Sequence, residues 1–144
     1  MRLTTRTNLA MRALMFCAVN ADRVMRRQEI SAACAGSGNH LAQVIHLLGR
    51  HGYLRTIRGR AGGVTLARPP EEITVGQVFR DFEGTLPFTD CIGQAGGDCP
   101  LIGSCRLTCT LTQALAAFYA HLDRTTLADL VEGNRPLEKI LHAA

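Results

Sequence analysis

Residues 39–50, NHLAQVIHLLGR, constrain the fold of this 144-residue chain more than any other segment. Apolar side chains recur there with the spacing of a helix that buries one face: Leu41, Val44, Ile45 and Leu48. The nearly opposite face is polar and carries Asn39, Gln43, His46 and Arg50. Amides and arginine are the side chains that pair with adenine and guanine edges in a DNA major groove. The pattern therefore predicts an amphipathic helix with a face suited to reading DNA.

Two further helices are predicted before this segment, and Gly36 separates the second from it. The first covers residues 5–20, and its buried face carries Ala10, Leu14, Cys17 and Ala18. The second covers residues 27–35 and turns Ile30, Ala33 and Cys34 inward. Because free cysteine is among the most buried residue types, Cys17 and Cys34 are interpreted as structural thiols. A helix, a glycine turn and a helix with a polar reading face form a helix-turn-helix.

A basic hairpin is predicted after the reading helix. Residues 54–58 and 64–67 have strand composition, and the glycines between them supply the turn. Arg55, Arg58 and Arg60 place three guanidinium groups on the hairpin. Such a hairpin is the wing of a winged helix, which contacts phosphates or a minor groove and adds affinity with little sequence choice. We therefore expect residues 1–70 to form a winged helix-turn-helix DNA-binding domain.

Charge is divided unevenly along the chain. Residues 1–70 contain eleven arginines and only two acidic residues, whereas residues 71–144 contain ten acidic and five basic residues. A basic half joined to an acidic half indicates a polyanion-binding region followed by a second region with a different role. No stretch approaches the roughly 18 apolar residues of a membrane span, so we expect a cytoplasmic protein without a membrane partner. In that compartment clustered cysteines are more often metal-binding than disulfide-bonded.

The acidic half is predicted to contain a short helix in residues 71–84, a cysteine loop and a long helix from residue 106. The short helix has apolar contacts from Ile73, Val75, Val78, Phe79 and Phe82. The long helix has an apolar stripe of Leu107, Leu111, Ala114, Leu115, Phe118 and Leu122, part of which is expected in the chain's own core. We expect the rest to pack on a second copy, because symmetric dimers match the paired half-sites that such domains read. The predicted fold class is mainly α with a small β-hairpin wing: a winged helix-turn-helix followed by a long dimerisation helix.

Four cysteines in the second half have the spacing C-x7-C-x5-C-x3-C: Cys91, Cys99, Cys105 and Cys109. Structural zinc sites usually use paired cysteines with short gaps, and a catalytic redox pair uses C-x-x-C, which is absent. An iron–sulfur cluster tolerates irregular spacing and suits a glycine-rich loop, so a cluster is favoured and zinc stays open as the alternative. Asp90 and Asp98 disfavour a reactive thiol. No catalytic constellation occurs elsewhere, so no enzyme is predicted.

Four segments together carry a resemblance to a known family. They are MRLTTRTNLAMRAL at the start, IRGRAGGVTLARPPEEITVGQVFRDFE, the cysteine loop, and FYAHLDRTTLADLVEGNRPLEKIL near the end. The chain resembles, nearly end to end, the dimeric iron–sulfur winged-helix regulators that include NsrR, IscR and RirA. It is most similar to the nitric-oxide-sensitive NsrR branch. The RirA-like branch, which reports iron supply, shares the three cysteines and an asparagine near the start but matches the C-terminal segment less well.

The resemblance implies an iron–sulfur cluster, either 2Fe-2S or 4Fe-4S, ligated by Cys91, Cys99 and Cys105. In the NsrR pattern the position of Asn8 often holds an aspartate, which supplies a fourth, oxygen ligand from the partner subunit. Here the residue is asparagine, a poorer ligand for iron, and Cys109 is an additional thiol one helical turn after Cys105. The candidates for the fourth position are therefore Asn8 of the partner subunit, Cys109, water or a small molecule.

The resemblance also implies that the helix of residues 39–50 and the wing at residues 58–63 contact DNA. The expected DNA-binding residues are Ser37, Asn39, His40, Gln43, His46, Arg50, Arg58, Arg60, Gly62 and Gly63. The implied function is a homodimeric repressor that binds a double-stranded, palindromic operator and senses nitric oxide through its cluster. An iron- or redox-responsive regulator and a zinc-stabilised DNA-binding protein without a sensing role are the alternatives.

Overall fold

Helices and one short hairpin make up the computed structural model, which describes residues 3–36, 38–84, 88–89, 92, 99–101 and 103–142. The helices, in chain order, are α1 Thr5–Val19, α2 Arg27–Cys34, α3 Gly38–Arg50, α4 Val75–Glu83, α5 Arg106–Leu122, α6 Leu127–Val131 and α7 Arg135–Leu141. The hairpin pairs β1 Leu54–Ile57 with β2 Gly63–Leu66, and a 3-10 turn spans Pro70–Glu72. The predicted fold class is confirmed.

Side-chain caps define where several helices begin. At α1 the Thr4 hydroxyl accepts a hydrogen bond from the backbone N–H of Thr7. At α4 the sequence T-x-x-Q forms a reciprocal capping box between Thr74 and Gln77, which satisfies two backbone donors that the helix itself leaves without partners. Thr126 and Asp129 do the same for α6. These local sequence signals mark the residues at which α4 and α6 begin.

The core is built around α1. This helix contacts α2, α3, α4, α6 and α7, and its residues Ala10, Leu14 and Cys17 are buried in the core cluster. Asn20, at the end of α1, is buried, and its amide donates to the carbonyls of Phe16 at 2.8 Å and Leu141 at 2.9 Å. Both halves of the chain thus contribute to one core. The division of the chain into two domains at residue 70 stays a prediction.

Burial in the first half follows the sequence pattern. Leu41, Val44 and Leu48 of α3 are fully buried, and Cys17 and Cys34 are buried as expected. The second helix ends one residue earlier than predicted, since Ala35 adopts a left-handed φ of 48°.

A backbone bridge attaches the wing to the start of α2. The N–H of Met25 donates to the carbonyl of Val64 at 2.9 Å, and the N–H of Val64 donates to the carbonyl of Met25 at 2.9 Å. A Cβ on Gly63 would overlap the Met25 carbonyl and lie 2.9 Å from Val24 Cγ1. The absence of a side chain at Gly63 therefore permits this close contact. β1 is one residue shorter than predicted because Arg58 belongs to the turn. β2 has the predicted length but is shifted by one residue, because Gly63 pairs with Ile57 and Ala67 lies beyond the paired residues.

The second half differs from the prediction in three respects. The helix expected in residues 71–84 is divided into the 3-10 turn and α4, because Ile73 and Thr74 have extended backbone conformations. The short helices α6 and α7 were not predicted. No residue of α5 is fully buried, so its apolar stripe contributes less to the core than expected. Its main described contacts are with α4, where the rings of Phe79 and Phe118 lie 6.3 Å apart.

None of the helices in the part of the chain that the structure describes is long and apolar enough to cross a membrane.

Candidate nucleic-acid interface and metal centre

The outer face of α3 carries the predicted reading residues, and all of them that the structure describes are exposed: Asn39, His40, Gln43, His46 and Arg50. The opposite face is anchored in the core by Leu41, Val44 and Leu48. Because α3 begins at Gly38, Asn39 lies inside its first turn and does not cap it. Ser37, which was also predicted to contact DNA, lies outside the described residues. The helix thus presents a rigidly supported row of donors and acceptors.

At the wing, Arg58 and Arg60 extend from the turn and are exposed. Gly62 and Gly63 are needed for the close backbone packing of the wing, and their predicted contact with DNA stays a prediction. A Cβ on Gly62 would lie 2.8 Å from the Gly59 carbonyl oxygen and 3.1 Å from the Arg58 carbonyl carbon. These glycines therefore shape the turn and its attachment to the start of α2, while the arginines supply the charge.

A cleft of about 550 Å³ lies between α2, α3 and the wing. Arg26, Arg27 and Gln28 line it from the start of α2, and His46 lines it from α3. These three residues at the start of α2 were not predicted, because only the inward face of that helix has an apolar pattern. The available signal was the adjacent arginine pair directly before the apolar pattern of α2. The cleft adds two exposed guanidinium groups to the surface shared by α3 and the wing.

Glu29 is the one carboxylate on α2, and two neighbours already engage it. One of its oxygens lies 2.6 Å from the Arg23 guanidinium, and the other accepts the backbone N–H of Arg26 at 2.7 Å. Its negative charge is therefore compensated locally. The cleft consequently keeps the electropositive character that a DNA backbone requires.

The predicted cluster ligands are only partly described. Cys99 and Cys109 are exposed, Cys105 is partly exposed, and all three carry free thiols. Cys91 lies outside the described residues, and among those that are described no three histidine, cysteine, aspartate or glutamate side chains are grouped to hold a metal ion. The predicted set of cluster ligands therefore stays a prediction.

Cys105 has the electrostatic setting of a metal-binding thiol. It occupies the residue before α5. The backbone N–H and hydroxyl of Thr108, and then the backbone N–H of Leu107, hold the pKa of Cys105 below its ordinary value. A lower pKa favours the thiolate, which is the form that binds metal. The amide of Gln113 lies 3.5 Å from the Cys109 sulfur. Donor chemistry at this end of α5 therefore fits a thiolate-ligated group.

Asn8 is exposed on α1, one turn after Thr4. Thr4 takes part in a contact that joins α1 to α4. Glu83 Oε1 accepts hydrogen bonds from the backbone N–H and the hydroxyl of Thr4, each at 2.8 Å, and from the hydroxyl of Thr7. Partial burial raises the pKa of Glu83, but these donors outweigh that effect and leave the pKa below its ordinary value. The start of α1 is thus fixed to the residue that immediately precedes the Gly84 end of α4.

Comparisons with known proteins agree with this arrangement. Residues 3–133 match the family model Rrf2, described as an iron-dependent transcriptional regulator. The chain is 41% identical over 142 residues to the HTH-type transcriptional regulator NsrR of Geobacillus kaustophilus, covering 98% of this chain and 97% of the relative. It is 40% identical over 141 residues to protein aau3 of Rhizobium meliloti, covering 98% and 92%.

Among solved structures, T. potens IscR matches with a TM-score of 0.74 and 24% sequence identity, covering 92% of this chain and 87% of that chain. At that identity the match supports the fold alone. The sequence matches, which span almost the whole chain, confirm the resemblance to NsrR that the motifs indicated. The chain belongs to the Rrf2 family, a family of transcriptional regulators and not of enzymes.

Proposed function

We propose that this regulator is a homodimeric repressor that acts in the cytoplasm, binds a palindromic operator through α3 and the wing, and responds to nitric oxide through an iron–sulfur cluster in its cysteine loop. The main support for this proposal is the exposed polar face of α3. The opposite face of the helix is anchored by buried leucines, and the arginine-lined cleft borders the polar face. A helix held in this way can enter a major groove without rearranging the core.

The two kinds of DNA contact are assigned to different residues. Asn39 and Gln43 carry the amides, and Arg50 the guanidinium, that can read base edges. Arg58 and Arg60 on the wing supply charge to phosphates or the minor groove, which contributes affinity with little sequence preference. His40 and His46 complete the exposed face of α3.

The dimer is supported by the uncovered part of α5. Leu107 is 61% exposed, and Ala114 on the same face is also exposed. Single scattered apolar residues on a surface are ordinary, but an apolar stripe along a 17-residue helix with no buried member suits an interface. A second copy of α5 is the occupant with matching length and character. Two-fold symmetry would then place two α3 helices on a palindromic site.

The cluster is supported by the donor chemistry of the loop and by family membership. Cys99 and Cys105 have free thiols that solvent reaches, and the pKa of Cys105 is lowered. With Cys91 they would hold the cluster, and Asn8 of the partner subunit or Cys109 is the candidate fourth ligand. When bound, the cluster would supply iron with a replaceable ligand, to which nitric oxide can bind. The protein's own residues then determine how the state of the loop affects α3 and the wing.

The test is an anaerobic purification with visible absorbance and iron, zinc and sulfide analysis, followed by nitric oxide titration and operator binding. We expect a brown protein whose spectrum changes at a few nitric oxide molecules per cluster and whose operator affinity then falls. A Cys99→Ala variant should be a colourless, folded dimer with weak operator binding. Stoichiometric zinc in a colourless wild-type protein would contradict the cluster, and undiminished operator binding by Cys99→Ala would contradict its regulatory role.

Iron-responsive regulation is the second candidate. The description of the matching family as iron-dependent favours it, as does asparagine at position 8 where the NsrR pattern often has aspartate. A brown protein whose operator affinity changes on iron removal but not with nitric oxide would favour this candidate over the first.

A further inference from the structure

The last turn of α4 contacts the first helix and the segment that joins α3 to the wing. Three consecutive residues are involved, Asp81, Phe82 and Glu83, and they directly precede Gly84, where α4 ends. Glu83 holds Thr4 and Thr7 of α1, as described above. Asp81 and Phe82 contact the segment that joins α3 to β1. The chain then continues toward the cysteine loop.

Tyr53 is the centre of the second contact. It lies between the end of α3 and the start of β1, is only 1% exposed, and donates its hydroxyl to Asp81 Oδ2 at 2.6 Å. Burial first, and then this hydrogen bond, raises the pKa of Tyr53, so the phenol stays protonated and remains a donor. The guanidinium of Arg68, just beyond β2, lies 4.9 Å from the centre of the same ring.

His51 adds a second link between these elements. Its Nδ1 lies 3.4 Å from the same Asp81 oxygen, and its ring centre lies 6.2 Å from that of Phe82. Asp81 itself is only partly covered, with a side chain 36% exposed. A partly exposed carboxylate therefore holds a buried phenol and a histidine at the end of the reading helix. Replacing this carboxylate should alter the attachment of α4 without opening the core.

We propose that Asp81 is a positioning residue that couples the cysteine loop to the reading helix, by fixing the last turn of α4 to Tyr53 and His51. A displacement of that turn would have to break the Asp81–Tyr53 hydrogen bond or move the α3–β1 junction with it. The backbone N–H of Tyr53 donates to the carbonyl of Leu48 in α3 at 2.9 Å, and its carbonyl accepts the N–H of Ala67 just beyond β2 at 2.9 Å. The junction would therefore transmit the displacement to both α3 and the wing. This inference rests on the proposed function, in which the loop controls operator affinity.

The experiment measures operator affinity for the cluster-loaded and cluster-free dimer and compares their ratio among variants. In Asp81→Ala, the ratio of cluster-loaded to cluster-free affinity should be about tenfold lower than in the wild type, which is within the usual range of coupling between sites. The affinity of the cluster-free form should be unchanged. Asp81→Asn should retain most of the ratio, since its amide oxygen can still accept the Tyr53 hydroxyl. Tyr53→Phe should lower the affinity ratio by the same factor as Asp81→Ala, and the double variant should lower it no further than either single variant. Glu132→Gln, at an exposed carboxylate after α6, is the matched control.

Cluster content, from absorbance and iron analysis, and thermal unfolding of each variant accompany the measurement. An unchanged ratio in Asp81→Ala with a large wild-type ratio would overturn the inference and leave the proposed function intact. Equal losses of affinity in both forms would also overturn it, because a merely structural contact behaves in that way. A wild-type ratio near one would overturn the proposed function and the inference together.

Discussion

At the scale of single residues, the missing side chain of Gly63 allows the wing to pack against the start of α2 in the proposed DNA-binding surface. The backbone of Gly63 lies against Met25, and the adjacent Val64 exchanges two hydrogen bonds with Met25. A methyl group at position 63 would have to displace backbone atoms, which cannot move as a flexible side chain can. The start of α2 and the wing would separate, and the arginine-lined cleft between them would change shape.

We therefore predict that Gly63→Ala lowers the free energy of unfolding by about 1–3 kcal/mol, the usual cost of overpacking a close contact. Urea unfolding monitored by circular dichroism measures this change. Gly38→Ala is the matched control, because a Cβ there would meet no atom within 4 Å. Equal stability of Gly63→Ala and the wild type would show that the wing tolerates a separation from Met25.

The cysteines divide into two chemical groups. Burial, and secondarily the neighbouring Cys34, raises the pKa of Cys17 to about 12, and burial raises that of Cys34 to about 11. In the cluster-free protein at pH 8 we predict rapid iodoacetamide labelling of Cys99 and Cys109, with Cys17 and Cys34 labelled only after unfolding. Mass spectrometry with and without denaturant measures this. Labelling of Cys34 in the native protein would contradict its burial.

The same shifts fix the direction of a pH effect on stability. The unfolded thiols lose their protons near pH 9, whereas the folded protein retains the protons on Cys17 and Cys34 to higher pH. The contribution of these buried thiols is therefore complete below pH 9 and is lost as pH rises from 9 toward 11 and 12. A Cys34→Ala variant should show a weaker decline of unfolding free energy over that range than the wild type.

At the scale of elements, α2 contributes more to the candidate interface than its sequence pattern indicated. Its apolar positions, Ile30 and Cys34, predicted the buried face correctly. The exposed pair Arg26 and Arg27 acquires its significance only from the cleft, which forms because the wing folds back against Met25. That contact joins residues about 40 positions apart, so no local pattern could reveal it.

We predict that Arg27→Ala weakens binding to operator and to unrelated DNA by a similar factor. It should also reduce the slope of log affinity against log salt concentration by about 1.8, because the dimer loses one phosphate contact in each half-site and each contact contributes about 0.9. Fluorescence anisotropy over a series of salt concentrations measures the slope. Arg135→Ala, at an exposed arginine that begins α7, is the control. A change of sequence preference without a change of slope would assign Arg27 to base reading instead.

Prediction from sequence succeeded for elements with clear periodicity or turn signals and failed for the short helices α6 and α7. The spacing of Leu41, Val44 and Leu48 specified α3, and the Thr74–Gln77 capping signal lay within a segment expected to be helical. The short helices α6 and α7 have too few turns to show a period, and their formation depends on packing of Leu127 and Leu141 against α1. For the candidate site, the reading face was visible in the sequence, whereas the cleft and the Asp81–Tyr53 contact depend on tertiary structure.

At the scale of the whole molecule, one core joins the proposed DNA-reading elements to the second half, and α5 lies largely outside it. Leu14 and Leu41 from the first half pack in the same cluster as Ile73 and Leu127 from the second. In contrast, α5 is attached mainly through α4, where Arg80 pairs with Asp123 through two contacts of 2.6 Å. A helix attached in this way can present its remaining apolar face to another subunit.

The proposed dimer should therefore depend on positions of α5 that the single chain leaves uncovered. We predict that Leu107→Lys combined with Ala114→Lys converts the dimer to a folded monomer, because burying two charged groups in an apolar interface is unfavourable. Both positions are exposed in the single chain, so its core should be unaffected. Light scattering coupled to size-exclusion chromatography measures the mass, and circular dichroism verifies the fold.

Ile140→Lys is the matched control for this change, since Ile140 is 72% exposed and lies on α7. It should leave the dimer intact. The monomeric variant should also bind a palindromic operator more weakly than the control, because each monomer can occupy only one half-site and loses the advantage of simultaneous binding. Retention of a dimer by the Leu107 and Ala114 double variant would place the interface elsewhere and would leave the apolar stripe of α5 without the assigned partner.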